Sequence, residues 1–319
     1  MSKKVIAIAF SDLHLNDWSK KFNTENSRTL NGFSVLHRIA KICDKYKCPA
    51  LFCGDLFHKA EMMSQELRNL TDRELGKLPS TFRCYAINGN HDLYQVNSTT
   101  NRKEGWVHIL SRQFPWLTIL DFRTVEFPKA GFTVHGVPYL DHNQGLNEYL
   151  KSIKTDILLL HTDYPGATDT DGRVVGSAEN LNINLLKPFK LVLIGHIHKP
   201  QRLGKKIYMV GAPQQQRRTD RGCEMGYMEI YEDFTVKFKA WDDYPKFIDV
   251  YDESEIKDDG NYYTVIPKPT SKTIESEHKI TKQLTKKQLA RRYMKQKGDK
   301  NKTRLKLLTN VLTKGEELC

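Results

Sequence analysis

Short apolar runs alternate along this chain with longer polar segments. Residues 4–10 (KVIAIAF), 50–53 (ALFC), 82–87 (FRCYAI), 156–160 (DILLL) and 191–194 (LVLI) are mostly apolar and too short for helices. Runs of this kind read as buried strands. After the first run, Phe33, Leu36, Ile39, Ala40 and Cys43 recur at helical spacing, and a second helix is predicted over about 64–75. Strand, helix, strand, helix, strand in succession is the mark of an α/β unit with parallel strands. Farther on, Trp106, Ile109 and Leu110 mark a helical face. Strands are expected at 117–120, 133–137 and 207–211, with a closing hairpin of 226–231 and 235–241. The expected fold is α/β: two packed sheets flanked by helices, over residues 1–241. A reduced cap or β appendage (242–269), a linker (270–283) and a basic C-terminal helical pair (284–319) follow. A loop rich in Gly and Asp after residue 161 is long enough to suspect function.

The polar groups just after these runs carry the chemistry. The first run leads to Asp12 and His14, the second to Gly54 and Asp55, and the third to Gly89, Asn90, His91 and Asp92. The fourth ends at His161, and the fifth leads to His196 and His198. Open α/β sheets bind ligands outside the carboxyl ends of their strands. A single histidine there is ordinarily a hydrogen-bonded structural residue. Five clusters of Asp, Asn and His at five strand ends point instead to metal. The donors are oxygen and imidazole with no thiolate, which favours Mn2+, with Mg2+, Fe or Zn as alternatives. The donors are too many for one ion. A pair of ions suits in-line displacement at a phosphoryl group.

In order, DxH, GD, GNHD, H and GHxH resemble the calcineurin-like metallophosphoesterase family over about residues 4–240. That resemblance implies its four-layer sandwich fold and a division of labour. Asp12, His14 and His198 would hold the first metal, Asn90, His161 and His196 the second, and Asp55 would bridge both. His91 would be the general acid, with Asp92 steering its ring. Three finer marks are similar to the SbcD-like DNA repair and recombination nucleases. They are Gly54–His58 (GDLFH), His135–Tyr139 (HGVPY) and Gly211–Gln216 (GAPQQQ) followed by Gly222 and Gly226-Tyr227. In that branch a histidine placed like His58 assists in handling DNA. The implied activity is metal-dependent DNA exonuclease or endonuclease cleavage. The alternative is a phosphatase or phosphodiesterase acting on small-molecule or protein phosphoesters. A third possibility, an interaction protein that has lost its metals, fits poorly because every ligand is present. The compact size is similar to the phage members of the branch, which would act in the host cytoplasm.

Charge adds a partner. Of a net +12, residues 268–319 supply ten charges through 15 Lys and Arg against five Asp and Glu. A near-neutral body with a basic tail suits a polyanion such as DNA. The tail also carries leucines at helical spacing, among them Leu289, Leu305, Leu308 and Leu312. DNA would leave these exposed. The resemblance implies docking of 284–319 on the coiled coil of an SbcC-type ATPase. It also implies a homodimer through helices near 64–75 and 103–112, carrying Leu67, Leu70, Leu75, Trp106, Ile109 and Leu110. Packing of those helices on their own sheet is the alternative. The six cysteines lack zinc-like spacing and read as reduced thiols. No apolar run approaches a membrane span, and residues 1–10 read as a first strand and not a signal peptide. A cytoplasmic protein is therefore expected.

Overall fold

A computed structural model describes residues 3–18, 27–59, 63–93, 105–140, 145–176 and 181–268. The strands β1 (Val5–Phe10), β2 (Ala50–Phe52), β3 (Cys84–Ala86) and β4 (Leu117–Ile119) pair in parallel in that order. The antiparallel strands β13 (Gly226–Tyr231) and β14 (Val236–Ala240) complete this first sheet on the β1 side. In the second sheet, β6 (Phe132–Val137), β7 (Ile157–His161), β10 (Leu191–Gly195) and β12 (Ile207–Met209) run parallel. Antiparallel β5 (Arg123–Phe127) and β11 (Gln201–Arg202) form its edges.

Alternation along the strands builds the layers. In β1, Ala7 and Ala9 face one core while Ile8 and Phe10 face another. In β10, Leu191 and Leu193 join Ala7 and Ala9 between the sheets, and Val192 and Ile194 point the other way. Both faces of each central strand are therefore buried, which is why these runs are apolar without a period. Outside the first sheet lie α1 (Ser27–Tyr46), α2 (Gln65–Gly76) and α3 (Trp106–Gln113). Phe33, Leu36, Ile39, Leu70, Leu75, Val107 and Leu110 cover its outer face. The second sheet is covered by α4 (Leu146–Ser152) and the 3-10 turn at Ile183–Leu186, through Leu146, Leu150 and Leu186. The result is four layers: helices, sheet, sheet, helices. At the start of α2, the Ser64 hydroxyl accepts the Leu67 N–H at 3.1 Å, so the turn begins with a satisfied donor.

Leu67, Leu70, Leu75 and Leu110 are buried within the single chain. Leu70, Leu75 and Leu110 pack into the core over the first sheet. Of the six residues considered for a dimer, Ile109 alone is strongly exposed, at 41%.

Two short sheets complete the described part: β8 (Ala167–Thr168) with β9 (Val174–Val175), and β15 (Phe247–Val250) with β16 (Tyr262–Val265). The described residues up to 250, with 254–264, form one compact unit. The linker and helical pair expected beyond residue 269 lie outside the described residues. None of the described helices is long and apolar enough to cross a membrane.

Candidate metal centre

The strand ends β1, β2, β3, β7 and β10 open toward one place, and backbone bonds lock them together. The Asp12 N–H donates to the Gly54 carbonyl at 2.9 Å, and the His14 N–H to the Asp55 carbonyl at 3.0 Å. The His196 N–H donates to Asp12 Oδ2 at 3.2 Å, joining the first sheet to the second. The chain turns sharply to do this. Asp12 (φ 54°), His14 (φ 47°), Asp55 (φ 61°) and His196 (φ 101°) all adopt left-handed backbone. They are four of the seven non-glycine residues that do so among those described. Such conformations cost free energy and persist where the surrounding structure over-determines them, commonly at functional sites.

The glycines of the motifs have a steric reason. A Cβ on Gly89 would overlap Asp55 Oδ1, and one on Gly54 (φ 98°) would overlap His161 Nδ1. The glycines just before Asp55 and Asn90 are what let ligands from different strands approach closely.

Three sets of donors result: Asp12, His14 and His198; Asp55, His161 and His196; and His14, His58 and His91. Within each set the candidate atoms lie within 4.8 Å of one another. In the first, His14 Nε2 lies 3.1 Å from His198 Nε2. In the second, Asn90 Oδ1 lies 3.1 Å from His161 Nε2 and 3.0 Å from His196 Nδ1. Asp55 stands between them, its Oδ2 3.6 Å from His14 Nε2 and 3.4 Å from His161 Nε2.

The outer nitrogen of each ring is held by the protein. His161 Nδ1–H donates to the Cys53 carbonyl at 2.7 Å, and His198 Nδ1–H to Asp220 Oδ2 at 3.1 Å. A carbonyl or carboxylate can only accept, so these bonds place the proton on Nδ1 and turn a lone pair on Nε2 inward. His196 Nε2 faces Asp163 Oδ1 at 3.4 Å, and His14 Nδ1 faces His58 Nδ1 at 3.5 Å. Asp163 and Asp220 escape sequence reasoning because one lies in a loop and the other in the short 3-10 turn Arg218–Asp220, both outside any motif. The only available signal is an acidic residue two positions after His161, and another in the Gln- and Arg-rich stretch after Gly211.

These residues fit divalent cations. Asp12 Oδ1 is fully buried and has no hydrogen-bond partner among the described residues. A buried polar atom left unsatisfied costs about 1–3 kcal/mol. A cation would satisfy it, together with the acceptor-lined gap between Asn90, His161 and His196. Electrostatics agree at Asp55 and His14, whereas at His161 and His198 burial is outweighed by the neighbouring carboxylates, which raise the imidazole pKa. Burial opposes charge on Asp55, but His161, His14 and His91 outweigh it and hold this carboxyl well below the usual range. Burial also pushes His14 well below the ordinary imidazole value, which favours its neutral, ligating form.

The general-acid candidate is held differently from the expectation. Asp92 does not steer the His91 ring. Its Oδ2 accepts the N–H groups of Asp55 (2.7 Å), Gly89 (3.0 Å) and Leu56 (3.2 Å), and its Oδ1 accepts that of Phe57 (3.0 Å). A carboxylate so occupied ties the GNHD loop to the GD loop. The ring is oriented instead by the His58 carbonyl, which accepts from His91 Nδ1–H at 2.8 Å. His58 is half-buried, with its ring stacked on His91 at 5.2 Å between centroids and tilted against Trp18 at 4.9 Å.

A family profile described as calcineurin-like phosphoesterase matches residues 7–200, which span all five ligand-bearing strand ends. Protein 244L of Invertebrate iridescent virus 6, a phosphoesterase by name, is 25% identical over 167 residues. That match spans 50% of this chain and 55% of the viral protein. Among solved structures, TT1561 of Thermus thermophilus is similar over 75% of this chain and 99% of its own. It has 13% identity and a TM-score of 0.44. Nuclease MPE of Pseudomonas putida is similar over 64% of this chain and 66% of its own, with 13% identity and a TM-score of 0.30. The chain belongs to the calcineurin-like phosphoesterase family.

Proposed function

We propose that this calcineurin-like phosphoesterase is a DNA nuclease that works with two divalent cations, Mn2+ foremost. The observation that carries the reading is the position of Asp55, whose Oδ2 faces His14 of one donor set and His161 of the other. Asp12, His14 and His198 would hold one cation, Asn90, His161 and His196 the other, and Asp55 would serve both. When bound, such a pair polarises a phosphoryl oxygen and lowers the pKa of an attacking water.

The chain's own groups do the rest. With Nδ1–H engaged by the His58 carbonyl, His91 exchanges its proton through Nε2, toward the leaving oxygen. Asp92 keeps the two loops that carry Asp55 and His91 in register. The His58 ring, stacked on His91, is placed to meet a strand end. The GDLFH segment and the basic tail support DNA as the substrate over a small ester. The tail, residues 284–319, docks an SbcC-type ATPase in a repair or recombination complex.

End-labelled single- and double-stranded DNA with Mn2+, run beside bis(p-nitrophenyl) phosphate, tests this reading. Cleavage of DNA by the wild type, lost in Asp55→Asn, is the expected result. Hydrolysis of the chromogenic ester with no cleavage of either DNA would make the protein a small-molecule phosphodiesterase instead.

A further inference from the structure

The hairpin of β8 and β9 belongs to the long loop after His161, and the roles assigned above give it no task. Its attachment is specific. Ala167 pairs with Val175 and Thr168 with Val174, and the Asp169 carboxylate accepts the N–H groups of Asp171 and Arg173, shaping the turn. At that turn the Thr170 hydroxyl donates to Asp220 Oδ1 at 2.9 Å. Asp220 is fully buried. Its other oxygen accepts from His198 Nδ1 (3.1 Å) and from the Gln216 (2.8 Å) and Arg217 (3.2 Å) N–H groups. Arg217 Nε donates to Oδ1 at 3.3 Å.

We propose that Asp220 is the positioning residue for His198 and makes the β8–β9 hairpin part of the metal centre. The inference rests on the assignment of His198 as a ligand. Four features support it. The carboxylate is out of water, so its bonds are not exchanged for solvent. Its bond to Nδ1 fixes which nitrogen of His198 faces His14 and Asp12. Two backbone N–H groups hold the carboxylate itself, so it does not rotate with the ring. The hairpin's bond falls on Oδ1, not on the Oδ2 that holds His198, so a shift of the hairpin acts on the ring through the carboxylate. Gln201, three residues after His198, holds β8 itself, its Oε1 accepting the Thr168 N–H at 3.0 Å. The hairpin is therefore tied both to Asp220 and to the stretch that directly follows His198.

Outer partners of a metal-binding imidazole typically change metal affinity by about 10–100-fold. The test measures Mn2+ binding to the full chain by calorimetry, with circular dichroism and melting curves as controls for folding. Asp220→Ala is expected to weaken the tighter of the two Mn2+ events, or the pair, by about 10–100-fold. Asp220→Asn, which keeps an acceptor oxygen, should recover part of that loss. Thr170→Val leaves the carboxylate in place and removes only the hairpin's bond. It is expected to lower affinity by a smaller factor, about threefold, with an unchanged melting temperature. Should Asp220→Ala not fold, Asp220→Asn and Thr170→Val decide the matter. Wild-type affinity in folded Asp220→Asn and Thr170→Val would overturn the inference and leave the two-metal reading standing. A wild-type chain that binds no Mn2+, Mg2+, Fe2+ or Zn2+ would overturn both.

Discussion

At the scale of residues, ligands and proton donors divide by what their ring nitrogens face. His161 and His198 give Nδ1–H to a fixed acceptor and turn Nε2 into a donor set. His91 is built the same way, with its Nδ1–H on the His58 carbonyl, yet its ring also belongs to a cluster with His14 and His58. Geometry therefore offers it two roles, and one variant separates them. His91→Ala should retain its Mn2+ content and lose about 10²–10⁴-fold in rate on DNA, the usual share of a positioned general acid. Elemental analysis beside single-turnover cleavage measures both, and a variant that comes out short of metal would make His91 a ligand. The side chains that gather into the first two donor sets were legible in the sequence because each closely follows an apolar strand. Asp92's task was not. Its partners are four backbone N–H groups, and no pattern of side chains records where a backbone points.

Elements were legible to the extent that they are buried on two faces. The five central strands stand out because nearly every position is apolar. The edge strand β5 (RTVEF) is largely exposed, and the short helix α4 (LNEYLKS) buries only Leu146 and Leu150, so neither leaves a strong period. The two-residue strands β8 and β9 are too short to have one. Polar, local contacts also tie the starts of the second sheet's inner strands. Asp156, just before β7, accepts the Thr133 N–H of β6 at 2.8 Å and ion-pairs with Lys190, just before β10, at 2.8 Å. Burial works against the Asp156 carboxylate, but Lys190 and Thr133 prevail and draw its pKa below the ordinary value. A depressed folded-state pKa contributes stability above the unfolded value, near 3.9, and that contribution fades as pH falls through the folded value. Asp156→Asn should therefore destabilise the protein by about 1 kcal/mol at pH 7 and by progressively less below about pH 4. Urea melts of both proteins at about pH 7 and about pH 3.5 check this. An equal difference at the two pH values would show that the bond matters and its charge does not.

For the whole molecule, the organising fact is the separation of chemistry from charge. The donor sets are built by residues 12–198, while ten of the twelve net positive charges lie in residues 268–319. If the tail served mainly to hold DNA at the metals, its basic residues would suffice and its leucines would have no task. The two short amphipathic helices expected there would have too little core to be stable alone, so Leu305, Leu308 and Leu312 would call for an apolar groove or coiled coil, with the basic residues facing acidic side chains around it. Deleting residues 284–319 should therefore leave Mn2+ binding and cleavage of short DNA close to wild type while abolishing co-purification with an SbcC-type ATPase. Point variants distinguish the two partners. Leu308→Asp should break the ATPase complex in the intact chain, whereas Lys295→Gln with Lys297→Gln should weaken DNA binding only modestly and reduce its dependence on salt. If the truncated chain still forms the complex, or if Leu308→Asp has no effect on it, the tail is not the docking element. A truncated chain that loses DNA affinity by orders of magnitude at low salt would assign the tail to nucleic acid directly.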